Sequence, residues 1–248
     1  MAPRGLKTTL KKKVCAKLVG TGKFKGFAKI HTDGSTGPKL KGLTKALAKH
    51  IFSNGSLPWS TGSRLGWSGR GGGRRRGAAV DAQLSRIVNS GSKSSAKFRL
   101  TRMAISALKK IQLEPVVAQR AAVSGAIGTA ADVICYNKKE SCLVVVEVKC
   151  GYTQIRETPA MKNGKKCAMR TPLRQVIDCA LHRHFAQLAV TAEMISRDVV
   201  METVESLGIN TKLSAILLYL DDEDAEIFEL PAWWLKRGAK ILKAIGGT

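Results

Sequence analysis

In Gly128-Thr129-Ala130-Ala131-Asp132-Val133-Ile134-Cys135-Tyr136, the polar break Asn137-Lys138-Lys139-Glu140-Ser141, then Cys142-Leu143-Val144-Val145-Val146-Glu147-Val148-Lys149-Cys150, residues Ala131 to Tyr136 and Cys142 to Lys149 read as two strands joined by the short polar loop. The run Leu143 to Val146 is apolar throughout, which suits a strand buried on both faces. Side chains alternate along a strand, so Glu147 and Lys149 share one face while Val148 takes the other. A hairpin symmetric about Lys139 would set Asp132 opposite Val146, one step short of Glu147. A bulge or a one-residue change of register would align the two carboxylates. Charged groups at the end of so apolar a strand are costly unless paired or metal-bound. Two adjacent carboxylates repel, and a divalent cation relieves that repulsion. Oxygen ligands suit Mg²⁺ or Mn²⁺. Such a cation can activate water and stabilise charge on a phosphate, with the Lys149 ammonium holding the nucleophile or the developing charge. The plainer alternative is a same-face surface salt bridge between Glu147 and Lys149.

Outward from this hairpin, Pro115 to Val123 reads as a preceding strand. Val80, Leu84, Ile87 and Val88 form one helical stripe beginning near Gly77, and a second helix is expected from about Ser95 to Leu113. Thr171-Pro172 has the form of a helix start, a hydroxyl cap followed by proline, for a helix running to about Ser196. A shorter helix is expected over Asp198 to Leu207 and a strand over Leu213 to Leu220. An acidic turn at Asp221 to Asp224 leads to a partner strand over Glu226 to Leu230, then a last helix from Pro231 to Ile245. This order predicts an α+β domain with a mixed sheet flanked by helices. Trp233 and Trp234 fit packing of that last helix better than stacking on bases.

Charge divides the chain. The 248 residues carry 42 Lys and Arg against 18 Asp and Glu, a net +24. Residues 1–110 hold 25 of the bases and two acids, whereas residues 111–248 hold 17 bases and 16 acids. This asymmetry favours a polyanionic partner and argues against a metabolic enzyme with an evenly mixed surface. Residues 1–76, with Lys11-Lys12-Lys13 and the Gly-rich run ending in Arg74, Arg75 and Arg76, are expected to form a basic, disordered arm ahead of a folded domain over 77–248. Leu43, Leu47 and Ile51 allow a short helix within it. The arm's bases would neutralise phosphates without choosing a sequence, or would serve as a nuclear or mitochondrial targeting signal, the nucleus slightly favoured by the lysine triplet and Arg74–Arg76. No apolar run approaches the roughly 18–20 residues of a membrane span. The six cysteines form no CxxC pair, which fits free thiols in a reducing, intracellular compartment.

The two quoted strands, with Asp132 on the first and Glu147-Val148-Lys149 on the second, resemble the core of the PD-(D/E)XK nucleases, a likeness covering about residues 77–230. Alanine, not proline, precedes Asp132. The resemblance implies a restriction-endonuclease-like core, α-β-β-β-α-β, and a Mg²⁺- or Mn²⁺-dependent hydrolase of phosphodiester bonds in DNA, with RNA an open alternative. It implies that Asp132 and Glu147 bind metal and that Lys149 assists the attacking water. The pattern is most similar to the lambda-exonuclease and RecB-like branches, which leans toward an exonuclease in repair, recombination or replication. Asp81 is similar to a further acid that the family carries on its first helix, with Glu114 as competitor. The RecB-like branch places a glutamine on the helix after the ExK strand. Gln187, within the apolar stripe beside Ala180 and His184, fits better than Gln175, although Thr191 stands where tyrosine is usual. Lys162, Lys165, Lys166 and Arg170 follow the ExK strand and are candidates to grip phosphates flanking the cut. A non-catalytic nucleic-acid-binding or packaging protein is the alternative from another class, for which the basic segment alone would suffice.

Overall fold

The computed structural model describes residues 1–12, 16–19, 26–30, 35–57, 72–91, 96–152, 155–198 and 200–247. Its elements run α1 (Leu6–Lys12), β1 (Ala16–Val19), β2 (Gly26–Ile30), β3 (Thr36–Gly42), α2 (Leu43–His50), α3 (Gly72–Ser90) and α4 (Arg99–Lys110). They continue with β4 (Leu113–Ser124), β5 (Ile127–Asn137), β6 (Cys142–Cys150), β7 (Met161–Lys162), β8 (Lys165–Lys166), α5 (Ala180–Ser196) and α6 (Val200–Ser206). The last are β9 (Asn210–Leu220), β10 (Ala225–Glu229), α7 (Ala232–Leu235) and α8 (Gly238–Ala244). The fold is α+β, with a mixed sheet flanked by helices.

The sheet runs β1-β2-β3-β5-β6-β9-β10, with β4 paired to β5 on a branch. β4, β5 and β6 form an antiparallel meander, whereas β6 and β9 are parallel and joined through α5 and α6. Alternation along β6 divides the interior in two. Leu143 and Val145 face a core shared with α1, α2, α5, α6, α7 and α8 through Leu10, Leu47, Leu188, Val204, Trp234 and Ile241. Val144, Val146 and Val148 face a second core with Val80, Leu84 and Val88 of α3 and Leu100, Ala104 and Leu108 of α4. The strand is therefore buried on both faces, as its apolar run implies.

On one edge, β5 pairs with two different strands. Ile127 and Gly128 pair in parallel with Lys41 and Gly42 of β3, while Val133 to Asn137 pair with Val146 to Cys142 of β6. The sheet forks between these two contacts. Gly128 suits the crossing, because a Cβ there would come within 2.7 Å of Phe27 Cβ.

Three sequence expectations need correction. Residues 1–12 and 35–57 are not a disordered arm; residues 13–15, 20–25, 31–34 and 58–71 of the expected arm lie outside the described residues. Leu6, Leu10, Leu47 and Ile51 are fully buried in the main core. Lys7 and Lys11 donate to the carbonyls of Val88 and Asn89 at the end of α3, where unpaired helix carbonyls attract cations. Arg120 donates to the Leu10 carbonyl and pairs at 2.7 Å with Asp198, both side chains buried. The sparse leucines of the basic segment thus lie at helical spacing and have a core to enter.

The helix expected from Thr171 begins at Ala180. Thr171-Pro172 is a cis peptide, and residues 167–179 run as loop and extended chain. Their backbone groups bond outside any helix: Met169 N–H to Val176 O, Asp178 N–H to Cys167 O, and Arg170 N–H to Ile51 O. The single terminal helix is two, α7 and α8. Trp234 packs in the core, and Trp233, 37 % exposed, is covered by the Arg237 guanidinium 3.5 Å from its ring centroid.

Cys135, Cys142, Cys150, Cys167 and Cys179 are free thiols; Cys15 lies outside the described residues. No helix among the described residues is long and apolar enough to cross a membrane.

Docking of α1 generates a stability prediction. Leu10→Ala should lower the free energy of urea unfolding by about 2–5 kcal/mol, the usual cost of emptying a buried leucine site. Unchanged unfolding would mean that the segment is a tail after all.

Candidate active site

The fork positions the site. The β5–β6 ladder pairs Val133 with Val146, a register one residue away from the symmetric hairpin, so the next step sets Asp132 opposite Glu147. Beyond Val133 the ladder stops. The Asp132 carboxylate then substitutes for backbone, its Oδ2 accepting the Val148 N–H at 2.8 Å. Both carboxylates lie on the α5 side of the sheet, following the alternation that sends Val146 and Val148 to the α3 side.

Glu147 is 2 % exposed. Its Oε1 accepts from the Lys149 ammonium and, at 2.6 Å, from Gln187 Nε2. Its Oε2 is buried with no hydrogen-bond partner. Burial raises the Glu147 pKa to about 7, and the neighbouring Asp132 charge adds to the rise. The Lys149 charge and the bonds from Lys149 and Gln187 offset part of it. Asp132 is likewise raised by burial, against the Lys149 charge and the bonds from Val148 and Gln119. Burial by itself would lower Lys149, but Glu147 and Asp132 outweigh it and hold the ammonium above its ordinary value. Asp132 and Lys149 are only half-buried, so the cluster reaches solvent along one side.

Neighbours absent from the sequence expectation complete the surroundings. Gln119 of β4 donates from Nε2 to Asp132 Oδ1 at 3.3 Å. The flanking pairs Ala118–Val133 and Arg120–Ala131 set it opposite Asp132, and its φ of 56° is a left-handed backbone costly for a residue with a side chain. Tyr219, register partner of Lys149 across β6 and β9, bonds through its hydroxyl to His184 Nδ1 at 2.7 Å. The Tyr152 ring meets His184 edge-on with centroids 4.8 Å apart. Burial holds the His184 pKa well below its ordinary value, with the Lys149 and Arg183 charges adding to the effect. Gln187 was legible as a polar group on an apolar helix face. Gln119, Tyr152 and Tyr219 carried no such signal, since their roles depend on cross-strand register.

The remaining candidates separate. Asp81 stands on α3, across the sheet, and its charge adds to the rise at Lys149. Asp81 also acts on Cys150, whose thiol pKa burial raises, the Asp81 and Asp132 charges adding to the rise and those of Arg76 and Lys149 offsetting part of it. Glu114 pairs with Tyr136 at the far end of the hairpin and accepts from the Ala2 N–H, away from the site. Arg76 is 5 % exposed and ion-paired with Asp222 at 3.3 Å, so it is not a free phosphate-binding group. Arg75 is exposed, and the Arg74 side chain lies outside the described residues. Lys162, Lys165 and Lys166 are exposed on the β7–β8 hairpin, and Arg170 is tied to the Lys49 carbonyl and Asn54. Gln175 is exposed in the loop before α5. Position 191 is filled by buried Thr191, whose hydroxyl lies 3.3 Å from that of Thr129. Asp221 caps its own turn, accepting from the N–H groups of Glu223 and Asp224.

The donor set suits a divalent cation. Two carboxylates converge, each raised by burial, and one oxygen is buried with no partner; a hard cation would satisfy that oxygen and lower both groups. Comparison with protein-family models, curated proteins and solved structures finds no match.

The raised Glu147 pKa has a thermodynamic consequence without metal. The folded state holds its proton up to about pH 7, whereas the unfolded chain releases it near 4.5. Between these values the folded state binds more protons, so this group makes stability fall as pH rises through the window, and it adds no further slope above it. Urea unfolding in EDTA from pH 4.5 to 7.5 should show this decline in wild type and a flatter curve in Glu147→Gln. Parallel curves would contradict the shift.

Proposed function

We propose that the chain is a metal-dependent nuclease of the PD-(D/E)XK type, hydrolysing phosphodiester bonds in DNA. The observation that carries this reading is the convergence of Asp132 and Glu147 at the fork, with Lys149 and Gln187 both bonded to Glu147 Oε1 and Oε2 left without a partner. The order α3, β4, β5, β6, α5, β9, with α4, β7, β8 and α6 interspersed, supports it, being in keeping with the α-β-β-β-α-β core that the sequence resemblance implies.

Asp132 and Glu147 would hold Mg²⁺ or Mn²⁺. In an extended strand the N–H and C=O of one residue point to the same edge, so the Val148 carbonyl is directed toward Asp132 and is a third oxygen candidate. A bound cation would polarise the scissile phosphate and promote ionisation of the attacking water. The chain's own groups do the positioning. Val148 and Gln119 orient Asp132, and Gln187 fixes Glu147 from α5. Lys149 reaches the half-exposed side of the cluster as a persistent cation, able to hold a water or a non-bridging phosphate oxygen. The resemblance to exonuclease branches favours attack from an end.

Purified protein should degrade linear duplex DNA with Mg²⁺ and stop on chelation. Glu147→Ala and Lys149→Ala should each reduce the rate by about 100-fold or more. Equal residual degradation in wild type and both variants would remove the assignment, leaving a nucleic-acid-binding protein if DNA is still bound. A nicked or intact circle tested beside the linear substrate separates internal cutting from end-dependent cutting.

A further inference from the structure

Two segments far apart in sequence build one cationic surface away from the carboxylates. Residues 35–57 contain Lys39, Lys41, Lys45 and Lys49, and residues 158–177 contain Lys162, Lys165, Lys166, Arg170 and Arg174. Neither segment holds an Asp or Glu. They are stitched together by main chain. Ser56 and Met161 exchange two hydrogen bonds of 3.0 Å, and Arg170 N–H donates to Ile51 O at 2.7 Å. The Arg170 guanidinium also donates to the Lys49 carbonyl and to Asn54. Lys45, Lys49, Lys162, Lys165 and Lys166 are exposed. Partial burial lowers the His50 pKa, and the charges of Lys41, Lys49 and Arg170 lower it further, so these cations crowd one place.

Five arginines elsewhere have acidic partners: Arg76 with Asp222, Arg120 with Asp198, Arg156 with Glu226, Arg183 with Asp178 and Arg197 with Glu193. Among the described residues, none of Lys41, Lys45, Lys49, Lys162, Lys165, Lys166 or Arg170 has an ion-pair partner. Gathering like charges without acids opposes folding, and a polyanion that displaces its own counterions removes the penalty. The surface also adjoins the candidate site. The Arg183 guanidinium lies over the Phe52 ring, 4.9 Å from its centroid; the next residue, His184, bonds Tyr219, the register partner of Lys149. Helix α5 thus borders the cationic surface at its start and presents Gln187 to Glu147 two turns later.

We propose that α2, the β7–β8 hairpin and Arg170 form a metal-independent surface that holds the nucleic-acid backbone, without regard to sequence, while the adjoining carboxylates act on it. This rests on the nuclease reading only in choosing nucleic acid over another polyanion.

The test uses the full chain in EDTA and a fluorescein-labelled 30-base-pair duplex, with anisotropy read from 50 to 300 mM salt. Lys45→Glu, Lys49→Glu, Lys162→Glu and Lys166→Glu together should weaken binding by about 30-fold or more and reduce the log–log salt slope by roughly 3. A control with the same charge change, Lys109→Glu, Lys110→Glu, Lys138→Glu and Lys139→Glu, alters exposed lysines at the opposite end of the meander. It should cost less than about 3-fold by the same reasoning. Circular dichroism melting checks that both variants fold, and a Lys→Gln version of the first set should give an intermediate loss. Equal weakening by both sets, no weakening by the first, or no measurable binding by wild type overturns the proposal. So does a first set that binds DNA normally but no longer sediments with phosphatidylserine vesicles. If the first set binds normally while cleavage still depends on Glu147, the surface fails and the nuclease reading survives. If binding follows the first set but no form cleaves with Mg²⁺, the surface stands and the nuclease reading fails.

Discussion

The contact between the Asp132 carboxylate and the Val148 N–H is the constraint from which the rest of the site follows. Where β5 leaves β6 to run beside β3, the main chain of β6 loses its ladder partner on that edge. An orphaned amide in so apolar a sheet is costly. A side chain from the departing strand replaces the missing acceptor, and only a short acidic or amide residue at that register can do so. Once Asp132 is held there, the alternation of β6 brings Glu147 alongside it and Lys149 after it, on the face covered by α5. The acidic pair is therefore a product of sheet topology, with no loop needed to assemble it.

The arrangement carries an electrostatic cost that the fold only partly offsets. Asp132 and Glu147 are each raised by burial, and Glu147 also by its neighbour, while the single ammonium of Lys149 serves both. Gln187 and Gln119 contribute dipoles without charge. A site made only for stability would bury apolar side chains here, since a buried ion pair is often no better than a hydrophobic replacement. The orphaned oxygen of Glu147 and the left-handed backbone of Gln119 are further departures concentrated at this one place. Departures of this kind cluster at functional sites, and the proposed metal-binding role would account for them.

Much of this was legible from residue order. The apolar run of β6, the alternation of Glu147 and Lys149 and the polar 137–141 break defined the central hairpin. The needed one-residue change of register was visible as a requirement, though its origin at the fork was not. The arm was misread because composition counts lysines and glycines, whereas Leu6, Leu10, Leu43 and Leu47 act through spacing and through partners a hundred residues away. Thr171-Pro172 misled because a hydroxyl followed by proline looks alike before a helix and within a loop; the true start at Ala180 has no capping side chain to announce it. Gln119 was silent for a different reason. Its position opposite Asp132 depends on pairing between strands, which no local pattern encodes.

The buried union of Arg120 with Leu10 and Asp198 also governs the order in which the molecule can be assembled. Its members are separated by 110 and 78 positions, so the first helix has nothing to dock against until β4 exists, and Arg120 keeps an unmatched charge until Asp198 arrives. Docking of α1 therefore waits on segments more than a hundred positions further along the chain, because closing so long a loop comes before any reward from its contacts.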